Sequence, residues 1–320
     1  MKKWNIDVAV LCIFFARPEQ FAKTFEAVRK ARPRVLLLWQ DGPREGRMDD
    51  LENVRKCREI AENIDWDCEV YRNYHDENMG CDPSTFLSHK WAFSIVDKCI
   101  ILEDDLIPAE SFFRFCKEML DKYENDERID RICGTNLLGE YDIPNDYFFY
   151  GYGNSWGWAT WRRIAEKWEE DYRFMDDSYA VRCMRNLQPT LEPHIVWEKE
   201  CLLHKEEGVP YWEHINGAQT LLNNRLVIYP RCNMIRNIGL DANSTHAPDD
   251  VSLLPNRVQE FFKNEERELS FPLKHPTYVI NDVEYGKLCT LKVKGTKTQR
   301  FFMIFERVYL KIKRMLKRRK

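Results

Sequence analysis

Three consecutive acids close an apolar run, Ile100-Ile101-Leu102-Glu103-Asp104-Asp105. Carboxylates crowded this closely behind a buried strand repel one another and lose solvation, so a cation or hydrogen-bond donors must compensate them. Alternation along an extended backbone predicts Glu103 and Asp105 on one side and Asp104 on the other. One side can then hold a metal while the other takes a hydroxyl. Hard oxygen ligands suit Mg2+ or Mn2+, which bridge a few carboxylates to the oxygens of a diphosphate. The plainer alternative is an acidic cap on the helix opened by Pro108, but a cap needs one acid rather than three.

The elements that must position these acids follow from hydrophobic spacing. Val8 to Phe15 reads as a buried strand, and Pro18 opens a helix with Phe21, Phe25 and Val28 on one face. Val35 to Trp39 is a second strand, ending in Gln40-Asp41-Gly42-Pro43, and Leu51, Val54, Cys57, Ile60 and Ile64 mark the next helix. Cys68 to Tyr71 is a third strand, Phe86 to Val96 a helix, and Cys99 to Leu102 a fourth strand running into the acids. Phe112, Phe115, Met119 and Tyr123 then line the Pro108 helix. Strands alternating with helices of this length predict an α/β fold with a mostly parallel sheet covered by helices on both faces. Ligands of such sheets bind beyond the carboxyl ends of the strands, which singles out the loops at Asp41 and at Glu103 to Asp105.

After Gly134 the pattern loosens into an aromatic, glycine-broken stretch from Tyr147 to Trp161. Helical segments follow near 178 to 187, 194 to 205 and 213 to 223, with a late strand at Arg225 to Tyr229. Residues 247 to 295 show little periodicity. Phe301, Ile304, Phe305, Val308, Ile312, Met315 and Leu316 share one helical face, which predicts a C-terminal amphipathic helix.

A chain of 320 residues with 44% hydrophobic and 32% charged side chains is large enough for one big domain or two small ones, which excludes disorder and a disulfide miniprotein. The net charge of −3 hides an asymmetry: residues 311 to 320 hold seven basic groups and no acid, so the remainder carries −10. An acidic body does not suit nucleic acid, whereas the basic amphipathic end fits an anionic lipid surface, each nearby basic group adding roughly 1 kcal/mol. A helix docked on its own domain is the alternative for that segment. The eleven cysteines include no CxxC pair and read as reduced thiols. The run Val8 to Ala16 is too short to span a bilayer, and Asp7 before it with Arg17-Pro18-Glu19 after it speaks against a signal peptide.

Ile101 to Asp105, then Pro108 with Ser111-Phe112-Phe113-Arg114-Phe115-Cys116, then Trp156-Gly157-Trp158-Ala159-Thr160-Trp161-Arg162-Arg163, resemble the bacterial GT-A glycosyltransferases often labelled hemolytic-protein-like. These are distantly similar to the eukaryotic N-acetylglucosaminyltransferase I. The resemblance runs from about Val8 to His246 and implies a GT-A, Rossmann-like fold. It implies that Glu103-Asp104-Asp105 is a version of the DxD motif, with Asp105 on the metal and Asp104 and Glu103 on the ribose and donor sugar. It further implies that Asp41 recognises a uracil ring and that Arg17 lies in the nucleotide pocket. Trp156-Gly157-Trp158 is similar to a loop lining the sugar site, with Trp158 at the donor. Tyr211-Trp212-Glu213 resembles a segment carrying the catalytic carboxylate, here Glu213 in place of Asp. His89 is shifted by one position from the histidine of the related enzyme and is a donor-pocket candidate on that resemblance. His246 falls where late histidines close the metal or diphosphate site.

The reading implied is a metal-dependent glycosyltransferase, inverting, using Mn2+ or Mg2+ and a UDP-sugar, with Glu213 deprotonating the acceptor hydroxyl. Its acceptor would be a cell-surface glycan or lipid-linked sugar, reached from the cytoplasmic side of the membrane by peripheral association. Residues 1–246 would form the catalytic domain, 247–295 an irregular cover and acceptor region, and 296–320 the basic helix. Two alternatives stand beside it: a catalytically inactive nucleotide-sugar-binding scaffold, and a sugar-1-phosphate nucleotidylyltransferase. The second lacks its glycine-rich, basic phosphate loop, since Phe14-Phe15-Ala16-Arg17-Pro18 stands after the first strand.

Overall fold

The computed structural model describes residues 6–187, 191–240, 259–260 and 262–294. Four parallel strands, β1 (Ala9–Phe14), β2 (Val35–Gln40), β3 (Glu69–Tyr74) and β4 (Lys98–Glu103), form one half of an eight-stranded sheet. The other half is built from β6 (Ile129–Cys133), β7 (Tyr147–Tyr150), β8 (Trp158–Trp161) and β9 (Leu226–Pro230), giving the order β3-β2-β1-β4-β8-β6-β9-β7. Only β8 and β7 run against the other six. The chain is therefore a mixed α/β protein with a large, mostly parallel sheet flanked by helices. The short strand β5 (Leu106–Pro108) leaves this sheet to pair with β10 (Ile235–Asn237).

The central strand shows why both faces must be covered. Val10, Cys12 and Phe14 point into one core, while Ala9, Leu11 and Ile13 point into another. The first core is closed by α1 (Pro18–Ala31), α2 (Met48–Ala61) and α4 (Glu110–Lys122), through Phe21, Phe25, Cys57, Phe112 and Phe115. The second is closed by α3 (Cys81–Ile95), α5 (Arg162–Ala165), α6 (Ser178–Leu187), α7 (Leu191–Glu207) and α8 (Trp212–Leu222), through Phe86, Phe93, Ala165, Met184, Cys201 and Ile215. Pro18 at the first position of α1 has no amide to leave unpaired, and the left-handed Arg32 ends the helix by donating its amide to the Val28 carbonyl at 3.0 Å.

The weakly periodic stretch beyond residue 262 is bound into the same body. The Glu268 carboxylate accepts the Glu110 and Ser111 amides at 2.9 and 2.8 Å, capping α4, and Leu269 and Leu273 enter the first core. It also contains α9 (Val283–Lys294), whose Tyr285 and Cys289 cover β7 and β9. The helix that opens near Pro108 begins instead at Glu110, because Pro108 belongs to β5. All eleven cysteines are free. Among the described residues no helix is long and apolar enough to cross a membrane. The C-terminal amphipathic helix expected over 296–320 and His246 both lie outside the described residues.

Candidate active site

A cavity of about 290 Å3 opens at the carboxyl ends of β1, β2 and β4, lined by Phe15, Arg17, Asp41, Arg44, Asn78, Cys81, Glu103 and Asp104 among others. The sheet places it there because β1, β2 and β4 are parallel neighbours whose following loops share one edge. Ile13 pairs in register with Glu103, so the chain leaving β1 runs beside the acids leaving β4.

The three acids do not keep strand alternation. β4 ends at Glu103 and a turn carries Asp104 and Asp105, so the latter two meet the same guanidinium. Arg17 Nη2 donates to Asp104 Oδ1 and lies 3.0 Å from Asp105 Oδ2. Asp104 is also held by the Phe15 amide at 3.2 Å, and its carbonyl accepts the Thr24 hydroxyl at 3.0 Å. Asp105 is buried, its Oδ1 has no hydrogen-bond partner among the described residues, and its carbonyl accepts the Ile238 amide at 2.9 Å. Burial pushes the Asp105 carboxyl up to about 6 against the pull of Arg17. At Glu103, burial first, then the charges of Asp105, Glu213 and Asp104, raise the pKa well above the usual carboxylate range. Gly239 passes so close to Asp105 that a methyl there would collide with the carboxylate.

Asp41 is buried on the cavity wall, and desolvation raises its pKa although backbone amides pull it down. Its oxygens accept the amides of Gly42 and Met79, each at 2.9 Å, the Asn78 side chain at 3.0 Å and the Gly80 amide at 3.2 Å. Those four bonds use its lone pairs, so Asp41 fixes the wall formed by residues 78–80. Across the cavity, Arg44 is held on buried Asp50 by Nε and Nη2 at 2.6 and 2.8 Å, and its guanidinium stands 5.6 Å from the Phe15 ring.

Glu213 lies in a second cavity of about 270 Å3, with Arg131, Ser155, Trp156, Trp212 and Asn216 among its lining residues. It occupies the first turn of α8, where the helix dipole favours an acid. Its oxygens accept the hydroxyls of Ser155 and, at 3.1 Å, Tyr211, which fix its orientation. That the Glu213 charge raises the pKa of Glu103 marks the two cavities as electrostatic neighbours.

Two of the residues singled out in the sequence stand away from both cavities. Trp158 lines neither of them: it is 1% exposed and stacks on Trp212 with centroids 5.3 Å apart, because β8 turns it into the second core. Trp156, two residues earlier in the loop, is the one on the cavity wall. His89 lines neither cavity. It is fully buried against Trp158, Trp168 and Trp212, neither ring nitrogen has a partner among the described residues, and burial lowers its pKa to about 3. Sequence reasoning also passed over Arg131 and Asn216. Adjacent charges inside the apolar strand Ile129-Asp130-Arg131-Ile132-Cys133, and an Asn three residues after Glu213 on one helical face, were the available signals.

No protein-family model matches this sequence, and no curated protein matches it. Among solved structures it is similar to a mannosyltransferase from Pyrobaculum calidifontis in complex with GDP-Man and Mn2+, at 11% identity and a TM-score of 0.36 over 69% of this chain and 73% of the other. It is also similar to a 4-diphosphocytidyl-2C-methyl-D-erythritol synthase from Anaerococcus prevotii, at 14% identity and a TM-score of 0.31, covering 54% and 76%. A UDP-glucose pyrophosphorylase complexed with UDP-glucose is a third, at 9% identity and a TM-score of 0.33, covering 80% and 97%. Likenesses this distant decide nothing about activity.

Proposed function

We propose that this chain is a metal-dependent, inverting glycosyltransferase that uses a UDP-sugar. The observation that carries the reading is the buried Asp105 oxygen left without a partner among the described residues, next in the chain to Glu103 and Asp104, which line the cavity at the ends of β1, β2 and β4. A buried carboxylate oxygen in that state favours a cation. Among the described residues no three His, Cys, Asp or Glu side chains gather as a ligand group. A Mg2+-type site does not need them, because one or two carboxylates plus diphosphate oxygens suffice. Asp105 and Glu103 would hold the ion; His246, proposed from the sequence as a further ligand, lies outside the described residues. Bound there, a divalent cation supplies neutralisation of the charge that develops on the departing nucleoside diphosphate.

The chain's own groups do the rest. Arg17 orients Asp104 and Asp105 and adds positive charge beside the leaving group. The base lies against the 78–80 loop that Asp41 holds, with Phe15 and Arg44 on the other wall. The sugar extends past Glu103 toward Trp156. Glu213, oriented by Ser155 and Tyr211, takes the proton of the acceptor hydroxyl as that hydroxyl attacks the anomeric carbon in a single displacement. The basic 296–320 segment keeps the enzyme on an anionic membrane face, where a glycan or lipid-linked acceptor is found.

The test is a panel of nucleotide sugars, each with Mn2+ or with EDTA, read first as thermal stabilisation and then as nucleoside diphosphate release. A UDP-sugar that stabilises only with Mn2+ and then yields UDP supports the reading. Release of UTP in the presence of pyrophosphate would assign the chain to nucleotidyl transfer instead, and stabilisation with no turnover would make it a scaffold.

A further inference from the structure

The Glu213 cavity contains two buried polar side chains that the reaction above leaves unused. Arg131, in the middle of β6, is 6% exposed; its Nη1 donates to Asp130 at 3.2 Å, and its Nε has no partner among the described residues. Asn216 is 1% exposed, and neither its amide nitrogen nor its oxygen is hydrogen-bonded among the described residues. Buried polar groups are almost always paired, and two such groups on the wall of one cavity mark a place for a polar ligand. Gly153 is bare where a methyl would collide with the Arg131 guanidinium, so the loop before Trp156 admits the arginine to that wall.

Charge narrows the ligand further. Asp130, the carboxylate beside Arg131, is shared: its Oδ2 also accepts the Thr220 hydroxyl at 3.1 Å, and it feels the charges of Arg225 and Arg163 as well. Those two arginines and Lys167 lean on the single Glu127 carboxylate, at 3.3, 3.9 and 3.5 Å. Arg128 is matched separately by Asp126 at 2.7 Å. Three arginines, Arg131, Arg225 and Arg163, therefore act on the one buried Asp130 carboxylate, which leaves the Arg131 charge on the cavity wall incompletely matched, as a neutral sugar would also leave it. Glu213 on the same wall limits the opposite charge that can enter, which favours a carboxylate over a phosphate dianion.

We propose that this cavity is the acceptor site and that the acceptor is a sugar bearing a carboxylate, held by Arg131 and Asn216 with a hydroxyl turned toward Glu213. The inference rests on Glu213 being the base, but its test reads binding alone. Methyl glycosides of glucuronic and galacturonic acid are titrated into the full chain by calorimetry, beside the methyl glycosides of glucose and galactose. At least one acid should bind about tenfold more tightly than its neutral counterpart, the yield of one charge-assisted contact. Arg131→Gln should erase that preference. Because a buried arginine variant can fail to fold, Asn216→Asp, which adds a repelling charge, should reduce the preference independently. Glu213→Gln, which removes the opposing charge on the same wall, should keep the preference or enlarge it.

No preference for either acid in the unaltered protein overturns the proposal, and so does a preference that survives both Arg131→Gln and Asn216→Asp. A preference found in a protein that never turns over any nucleotide sugar would leave the binding site standing and remove the transferase. Turnover onto neutral acceptors without a preference would do the reverse.

Discussion

The Arg17 guanidinium stands 3.0 Å from the Asp105 carboxylate while also donating to Asp104, so one cation from the loop after β1 compensates two acids from the turn after β4. This pairing ties the two central strands together at the rim of the larger cavity. Arg17→Ala would leave two buried carboxylates facing each other. Breaking a buried pair costs about 3–5 kcal/mol, and the 19% exposure of the Arg17 side chain brings the expected loss down to about 2 kcal/mol. Mn2+ should then restore more stability to the variant than to the parent, because it offers the acids a second cation. Urea denaturation with and without Mn2+ checks this; equal metal effects on both proteins would mean that the acids do not hold the ion.

Asp105→Asn tests the same acids from the donor side. The amide keeps the shape but loses the charge, so Mn2+ should no longer strengthen nucleotide-sugar binding, whereas the parent should gain about a hundredfold, the yield of roughly 3 kcal/mol of charge-assisted contact. Calorimetry in Mn2+ and in EDTA separates the two. A parent protein whose donor affinity ignores EDTA would end the metal reading.

Glu213→Gln should leave donor affinity within about twofold and lower kcat by about a hundred- to ten-thousandfold, the range of a lost general base. Ser155 and Tyr211 can still bond the glutamine, so the loop around it should stay in place. Single-turnover transfer measured beside equilibrium donor binding gives both quantities. An unchanged rate would move the base elsewhere.

Much of this arrangement was legible in the residues. The buried strand from Val8, the Pro18 helix and the acids behind Leu102 all announced themselves through local spacing, because each repeats a pattern set by its own backbone. The second half of the sheet did not. β6, β7 and β8 are four or five residues long and pair with strands distant in sequence, so no short window records their partners. α9 was hidden for a related reason: it is held by Tyr285 and Cys289 against β7 and β9 rather than by a regular apolar stripe. At the candidate site, residue type singled out Asp105 and Glu213, but it could not say that Arg17 would bridge Asp104 and Asp105. A turn replaces the extended backbone after Glu103, and alternation stops applying there. Nor could it choose among the tryptophans, since the burial of Trp158 and the place of half-buried Trp156 on the cavity wall depend on which way β8 faces.

His89 gives the last expected outcome, and it concerns stability rather than activity. Its ring sits among Trp158, Trp168 and Trp212 with both nitrogens unpartnered, and burial lowers its pKa from 6.5 to about 3. Above pH 6.5 the folded and unfolded chains both carry the ring neutral, and its contribution to stability is fully present. As pH falls below 6.5 the unfolded chain takes a proton that the folded chain refuses, so stability drops by about 1.4 kcal/mol per pH unit until the folded pKa is reached. At pH 5 that amounts to about 2 kcal/mol. His89→Phe removes the titrating group without orphaning a partner, and at neutral pH the similar volume should keep stability within about 1 kcal/mol of the parent. Urea denaturation of both proteins at pH 7 and pH 5 reads the effect as a difference of differences, in which the other titrating groups cancel. The variant should gain about 2 kcal/mol on the parent between the two conditions. A gap that does not change with pH would show that His89 takes up its proton inside the folded protein, and that the tryptophan cage is open to water.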